Sequence, residues 1–295
     1  MNWLNRIAQF IAVLVILHFL QACNKKDGDA LVYRSFKKAN VRPTILNTEV
    51  ENANVRFIQS GDSTQNHVIV FVHGAPGSAD AFYRYLQDSI LLKDYLMVSV
   101  DRLGYGDSEK WNAEPSVVKQ AEALKPIIDH YYDQGKSVLL VGHSYGGPIV
   151  AKLAMDLPQK VSGVMLLAPA IDPENEKIFW FSKLGKTPPT SWVTPKPMKV
   201  ATVEKFGHVE ALNEIVNDWH LITQPVIYMH GDNDMIAPYV NIHFAKKKLT
   251  NAKTKFITIE GENHFLPWKQ YDLVKENLFV LTEMAHQIPE LEYEK

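Results

Sequence analysis

An α/β architecture on a doubly wound, mostly parallel sheet is the fold class this sequence predicts, and three observations carry it. Short β-branched runs alternate with amphipathic stretches from about residue 50 onward. Several runs are almost continuously apolar, as in Val68-Ile69-Val70-Phe71-Val72 and Val138-Leu139-Leu140-Val141. Strands covered on both faces read this way, whereas half-solvated strands alternate. The composition is globular: 46% of the 295 residues are hydrophobic and 22% charged, which supplies a core and excludes a disordered chain. With 31 Lys+Arg against 33 Asp+Glu, the net charge of −2 argues against a nucleic-acid protein held by phosphate contacts. A single cysteine excludes a disulfide scaffold and a cysteine-rich zinc site.

In chain order, the first element stands outside the fold. Ile7 to Leu20 is an apolar run without carboxylates, preceded by Arg6. Its length suits a signal peptide and falls short of the roughly 20 residues of a bilayer span. It ends in Leu20-Gln21-Ala22-Cys23, so the single cysteine closes it. The segment resembles a bacterial lipoprotein signal, cut before the cysteine and lipidated on it. That resemblance implies a signal peptide over residues 1–22 and an extracytoplasmic protein held in a lipid bilayer by acyl chains on Cys23. Asn24 after the cysteine favours the outer membrane. An uncleaved anchor is the alternative. Residues 23–50 then hold the lipidated cysteine, a polar tether over 25–39 that stays out of the fold, and the first-strand region.

Strands are expected at 54–60, 67–73, 95–101, 137–142, 161–168, 224–230 and 255–260, with helices at 81–93, 116–134, 145–157, 240–249 and 268–286. There is no internal repeat. The core is therefore residues 51–171 and 224–295, interrupted by an insertion at 172–223. That interval has no strand pattern and holds Pro173, Pro188, Pro189, Pro195 and Pro197 together with Trp180, Trp192 and Trp219. Val209, Leu212, Ile215, Val216 and Trp219 follow helical spacing. So long a segment rich in large aromatics folds on itself and covers something.

The strongest chemical signal is Gly142-His143-Ser144-Tyr145-Gly146-Gly147. Gly-x-Ser-x-Gly here follows a buried strand and opens a helix, the setting a nucleophile on a sharp turn requires. Gly142 and Gly146 leave room for strand and helix to approach, and Gly147 lets the helix pack close to the sheet. The helix N-terminus favours negative charge developing near Ser144.

A serine nucleophile needs a base, and the base an orienting acid, in the chain order Ser, acid, His on this kind of sheet. His264 in Gly261-Glu262-Asn263-His264 follows the last strand and is the base candidate. The acid should follow the preceding strand, where Asp232 and Asp234 compete. Asp234 is preferred, Asp232 reading as a turn residue, and Asp172 as one that starts the insertion. An oxyanion needs two backbone donors. The amide of Tyr145 is one, and the amide of Ala75 in His73-Gly74-Ala75-Pro76-Gly77 the other, since Pro76 has none. His73 reads as a brace for this loop, and His143 as packing beside the nucleophile.

Taken together, the His73 to Gly77 loop, Asp101-Arg102-Leu103-Gly104-Tyr105-Gly106-Asp107-Ser108, the Ser144 motif, Gly231-Asp232-Asn233-Asp234 with Pro238, and Gly261 to His264 resemble the α/β-hydrolase superfamily. The resemblance spans about residues 54–285. It implies a triad of Ser144, Asp234 and His264, an oxyanion hole from the Ala75 and Tyr145 amides, a structural role for 101–108, and a short lid at 172–223. It implies no cofactor, and the sequence carries no metal constellation.

Relatives that open epoxides or displace halide use an aspartate where this chain has Ser144. Aminopeptidase-type relatives need an acidic site in the lid. Glu204, Glu210 and Glu214 could serve, although carboxylates on a helix surface are usually solvated. The leading expectation is a serine hydrolase acting on an ester of a small or medium apolar molecule. Phe179, Trp180, Phe181 and Trp192 read either as pocket lining or as lid core. The alternatives are amide or carbon–carbon bond cleavage, acyl transfer or perhydrolysis on the same triad, and a lipid-anchored binding protein without turnover.

Overall fold

The continuously apolar runs pair with one another. In the computed structural model, which describes residues 28–51, 53–109, 111–177 and 194–287, they form one eight-stranded sheet. Its strands are β1 (Thr44–Val50), β2 (Ala53–Ser60), β3 (His67–Val72), β4 (Tyr95–Val100), β5 (Ser137–His143), β6 (Val161–Leu167), β7 (Val226–Gly231) and β8 (Thr254–Ile259). They lie in the order β1-β2-β4-β3-β5-β6-β7-β8. The pairs β1–β2 and β2–β4 are antiparallel, and every pair from β4 to β8 is parallel.

Period-two side chains divide the core between the two faces. Val68, Val70 and Val72 of β3 pack in one apolar cluster, while Ile69 and Phe71 pack in the other. The first cluster takes in α3 (Val117–Tyr132), α4 (Gly146–Asp156), α5 (Lys196–Ile215) and α6 (Asn241–Lys248). The second takes in α1 (Gly28–Phe36), α2 (Tyr83–Leu86), α7 (Leu266–Lys269) and α8 (Tyr271–His286). With helices on both faces the sheet is doubly wound, as the apolar strands require.

Three local features differ from the sequence expectation. The stretch at 28–36 is a helix rather than tether: Val32 and Phe36 are buried, and Phe36 meets Tyr83 edge to face at 4.9 Å. The helix expected at 81–93 breaks into 3₁₀ turns around α2. Asp88 Oδ1 accepts from the amides of Ile90 and Leu91 at 2.8 and 3.1 Å, and this local bonding competes with a continuous helix. The last helix splits at Gln270, whose side chain donates to Glu262 at 2.8 Å. Cys23, the apolar run before it, and Phe179, Trp180, Phe181 and Trp192 lie outside the described residues. Among the described residues no helix is long and apolar enough to cross a membrane.

Two buried arginines lock the loop after β3 to its surroundings. Arg102, two residues past β4, donates from Nε to the His73 carbonyl at 2.9 Å and from Nη2 to that of Gly74 at 3.1 Å. Its guanidinium also forks onto Glu204 of α5, with Nη1–Oε1 at 2.7 Å and Nη2–Oε2 at 3.2 Å, both side chains fully buried. Tyr105 and Gln120 donate to the same carboxylate at 2.7 and 3.3 Å. Glu204 is thus no solvated surface residue but the link between the inserted helix and the core. Arg56 joins Asp29 of α1 at 2.7 Å to Asp101 at 3.2 Å, and Asp101 Oδ1 accepts from the Ala79 amide at 2.7 Å.

Phe36→Ala is expected to lower stability by about 3 kcal/mol, read from denaturant unfolding. A loss under about 0.5 kcal/mol would mean that the segment is a tether after all. Glu204→Gln leaves a buried guanidinium without its counter-charge and is expected to destabilise by about 3 kcal/mol in the same assay. A near-neutral effect would show that the pair does not hold α5 in place.

Candidate active site

Ser144 turns the chain just past β5 with φ of 54°, a left-handed conformation that L-residues rarely hold. Two glycines make room for it. A Cβ on Gly142 would lie 2.5 Å from the Gly146 carbonyl oxygen, and one on Gly146 would lie 2.2 Å from that of Val72. Gly147 differs from expectation, because its missing Cβ leaves space for Pro169 in the loop after β6 rather than for the sheet. The strained turn is tied down: the Ser144 amide donates to Leu167 at 3.0 Å, and the Ser144 carbonyl accepts from Gly147 and Ala170 at 3.0 and 3.2 Å. α4 begins directly afterwards with no side-chain cap, so its first amides and the positive end of its dipole lie beside the nucleophile position.

The loop after β3 comes up against this turn. A Cβ on Gly74 would sit 2.9 Å from the Cβ of Ser144, which places Ala75 next to the hydroxyl-bearing residue. Among the described residues neither the Ala75 nor the Tyr145 amide donates a hydrogen bond, leaving both for an oxyanion. His73 braces the loop, as expected. Its Nε2 accepts from the Arg102 amide at 3.2 Å, so Nδ1 carries the proton and donates to the Gly74 carbonyl at 2.7 Å. Burial and the neighbouring Arg102 hold His73 well below the usual imidazole range.

The acid and base candidates meet. His264 Nδ1 lies 2.7 Å from Asp234 Oδ2, both side chains nearly buried, and this leaves His264 Nε2 as the proton acceptor. Asp234 Oδ1 accepts from the amides of Ile236 and Ala237 at 2.8 and 2.9 Å. Burial opposes ionisation of Asp234. Hydrogen bonds from His230 and His264, with the Ile236 amide, outweigh burial and hold the carboxyl well below its usual range. Among the described residues no hydrogen bond joins the Ser144 hydroxyl to His264. The link between them runs through His143, whose Nε2 donates to the His264 carbonyl at 3.0 Å and whose ring lies 4.8 Å from that of His264. Burial, then His264, pushes the His143 pKa down to about 3, so it is a neutral packing partner.

The competing acids are otherwise engaged. Asp232 Oδ1 accepts from the Gly261 amide at 2.7 Å and so ties the acid loop to the base loop. Asp172 accepts from the Glu174 amide at 3.0 Å and from Asn175 at 2.7 Å, a turn that opens the insertion. Glu204 is consumed by Arg102, and Glu210 and Glu214 are exposed on α5. Glu176, the other buried glutamate among the described residues of 172–223, is held by Lys205 and by His208 Nδ1 at 3.0 Å, so it too is engaged. One member of the constellation escapes sequence reasoning: His230 Nε2 lies 3.1 Å from Asp234 Oδ2. Its signal is a polar residue closing the apolar run Val226-Ile227-Tyr228-Met229, which burial obliges to find a partner.

Comparison with known proteins places this geometry. A family described as alpha/beta hydrolase fold matches residues 67–195, the stretch holding the Ala75 loop and Ser144. The dihydrolipoyllysine-residue acetyltransferase component of the acetoin cleaving system of Cupriavidus necator is 31% identical over 121 residues, 41% of this chain and 31% of that protein. The monoglyceride lipase of Homo sapiens is 28% identical over 119 residues, 38% of each chain. The matched region thus spans well under half of these curated relatives. Among solved structures, a bacterial membrane phospholipase A superposes with a TM-score of 0.64 at 19% identity, covering 95% of this chain and 99% of that one, a likeness of fold. The sheet order and the strained serine turn agree with this match over residues 67–195, and the chain has the α/β-hydrolase fold.

Proposed function

We propose that this α/β hydrolase cleaves a carboxylic ester of a small or medium apolar substrate through an acyl-enzyme on Ser144. The observation that carries the reading is the 2.7 Å contact of Asp234 with His264, at the same sheet edge that presents Ser144 on its strained turn. His264 Nε2 takes the Ser144 proton as Oγ attacks the ester carbonyl. Asp234 holds the ring by Nδ1 and stabilises the imidazolium, and the Ala75 and Tyr145 amides bind the oxyanion. The imidazolium then protonates the leaving alcohol. Water, deprotonated by His264, releases the acid and restores Ser144.

Apolar Met235, Ile236 and Phe265 are exposed beside the acid and base, which suits an apolar substrate approaching that edge. An ester is favoured over an aminopeptidase substrate because Glu204 is bound to Arg102. Acyl transfer to an alcohol or thiol is the second reading, and the likeness to an acetyltransferase component favours it. The same acyl-enzyme serves both outcomes.

A lipid anchor on Cys23 completes the proposal, with the enzyme extracytoplasmic at a bilayer. One acyl chain binds only marginally at roughly 0.8 kcal/mol per buried methylene, so several chains on Cys23 are needed for stable attachment.

Assayed on p-nitrophenyl esters of increasing acyl length, Ser144→Ala is expected to lower kcat by about a thousandfold or more. Turnover retained in the variant would remove Ser144 as nucleophile, and an added alcohol that diverts product from acid to new ester would mark acyl transfer. Cys23→Ala is expected to leave the membrane fraction or to remain unprocessed. A processed variant still in that fraction would contradict the anchor.

A further inference from the structure

We infer that His230 is a positioning residue for the acid of the triad: a neutral imidazole that holds the Asp234 carboxylate and draws charge from the oxygen facing His264. The inference rests on the Ser144–His264–Asp234 reading and deepens it.

His230 lies one residue before the end of β7, and its side chain is fully buried. Its Nε2 lies between two acceptors, Asp234 Oδ2 at 3.1 Å and the Ala237 carbonyl at 2.9 Å. An acceptor cannot face two acceptors, so Nε2 carries a proton and shares it between them. Its Nδ1 lies 2.8 Å from the Tyr228 hydroxyl, whose pKa burial raises well above its ordinary value. A neutral His230 leaves nothing unpaired, since Tyr228 donates to Nδ1 while Nε2 donates to Asp234. A charged His230 would turn the Tyr228 oxygen into an acceptor and leave the phenolic proton without a partner in a buried strand, which is unfavourable. The tautomer is therefore set by Tyr228 on one side and by Asp234 with Ala237 on the other. Tyr239 completes the surroundings, its ring edge-on to His230 at 5.8 Å.

The consequence falls on His264. Asp234 Oδ2 receives both His264 Nδ1 at 2.7 Å and His230 Nε2 at 3.1 Å, while the Ile236 and Ala237 amides occupy Oδ1. A neutral donor on the shared oxygen spreads its charge and weakens its hold on the imidazolium form of His264. Without that donor the full carboxylate charge faces His264, whose protonated form becomes more stable. Among the described residues the other titratable ring against His264 is that of His143, which burial keeps neutral. Loss of His230 therefore raises the pH at which His264 becomes available as a base. Simple loosening of the acid would lower that pH, because Asp234 would then stabilise the imidazolium less.

The test is the pH profile of kcat/KM in the full chain on a p-nitrophenyl ester. His230→Leu is expected to lower kcat by about tenfold or more with little change in KM, and to move the acidic limb upward by about half a pH unit or more. His230→Gln keeps an N–H donor and should restore much of both. A folded His230→Leu whose limb stays put or moves down overturns the inference. If that variant does not fold, imidazole nitrogen NMR of the wild-type protein decides. His230 protonated at Nε2 alone and silent between pH 5 and 9 supports it; a titrating His230 or a protonated Nδ1 overturns it. Ser144→Ala and Asp234→Asn separate the two levels, because turnover surviving in those variants contradicts the triad itself, not His230 alone.

Discussion

The buried pair of Arg102 and Glu204 is the interaction on which the arrangement of this site depends. One guanidinium holds the carbonyls of His73 and Gly74, forks onto a carboxylate of the inserted helix, and lies 4.8 Å from the rings of Tyr105 and Tyr145. Tyr145 in turn stacks on His208 of the same helix at 4.5 Å. Burial works against the charge on Arg102, and Glu204 beside it outweighs that penalty. Buried ion pairs add little net stability, yet each partner is costly to strand, so such a pair is effective at fixing register. Here it fixes the inserted helix against two parts that follow the paired strands β3 and β5, the Ala75 loop and the residue after Ser144.

The remaining parts of the site are cross-braced in the same manner. Strain at Ser144 is sustained because its backbone is bonded to β6 and to the loop after it, while neighbouring glycines remove the steric barrier. The acid and base loops are tied by Asp232 to Gly261, and the base loop is steadied within itself by Glu262 to Asn263 at 2.8 Å and Asn263 to Phe265 at 3.0 Å. Ser144, Asp234 and His264 each stand beyond the C-terminal end of a parallel strand, β5, β7 and β8 in turn, where α/β sheets bind their ligands.

What was legible in the sequence is what is local. The apolar runs of β3 and β5 announce burial on both faces, and glycines around Ser144 announce a tight turn. Asp234 and His264 follow from their places after β7 and β8. What stayed hidden depends on partners far along the chain. Glu204 looks like any solvated carboxylate until Arg102, 102 positions away, lies beneath it. α1 reads as a polar tether because only Val32 and Phe36 of its nine residues are buried. His230 hides because it ends an apolar run, and its partners Tyr228, Asp234 and Ala237 converge on it only in the folded chain. The break at Asp88 is local chemistry that an amphipathic pattern overrides on paper but not in the folded chain.

Covalent labelling tests the central claim most directly. An organophosphorus fluoride reacts far faster with a serine that has both an activating base and an oxyanion hole than with an ordinary hydroxyl. Intact-mass analysis of the treated protein should show a single adduct, mapped by peptide sequencing to Ser144 and absent in His264→Ala. An unlabelled folded protein, or an adduct on another residue, would contradict the assignment of this strand edge as a serine-hydrolase centre.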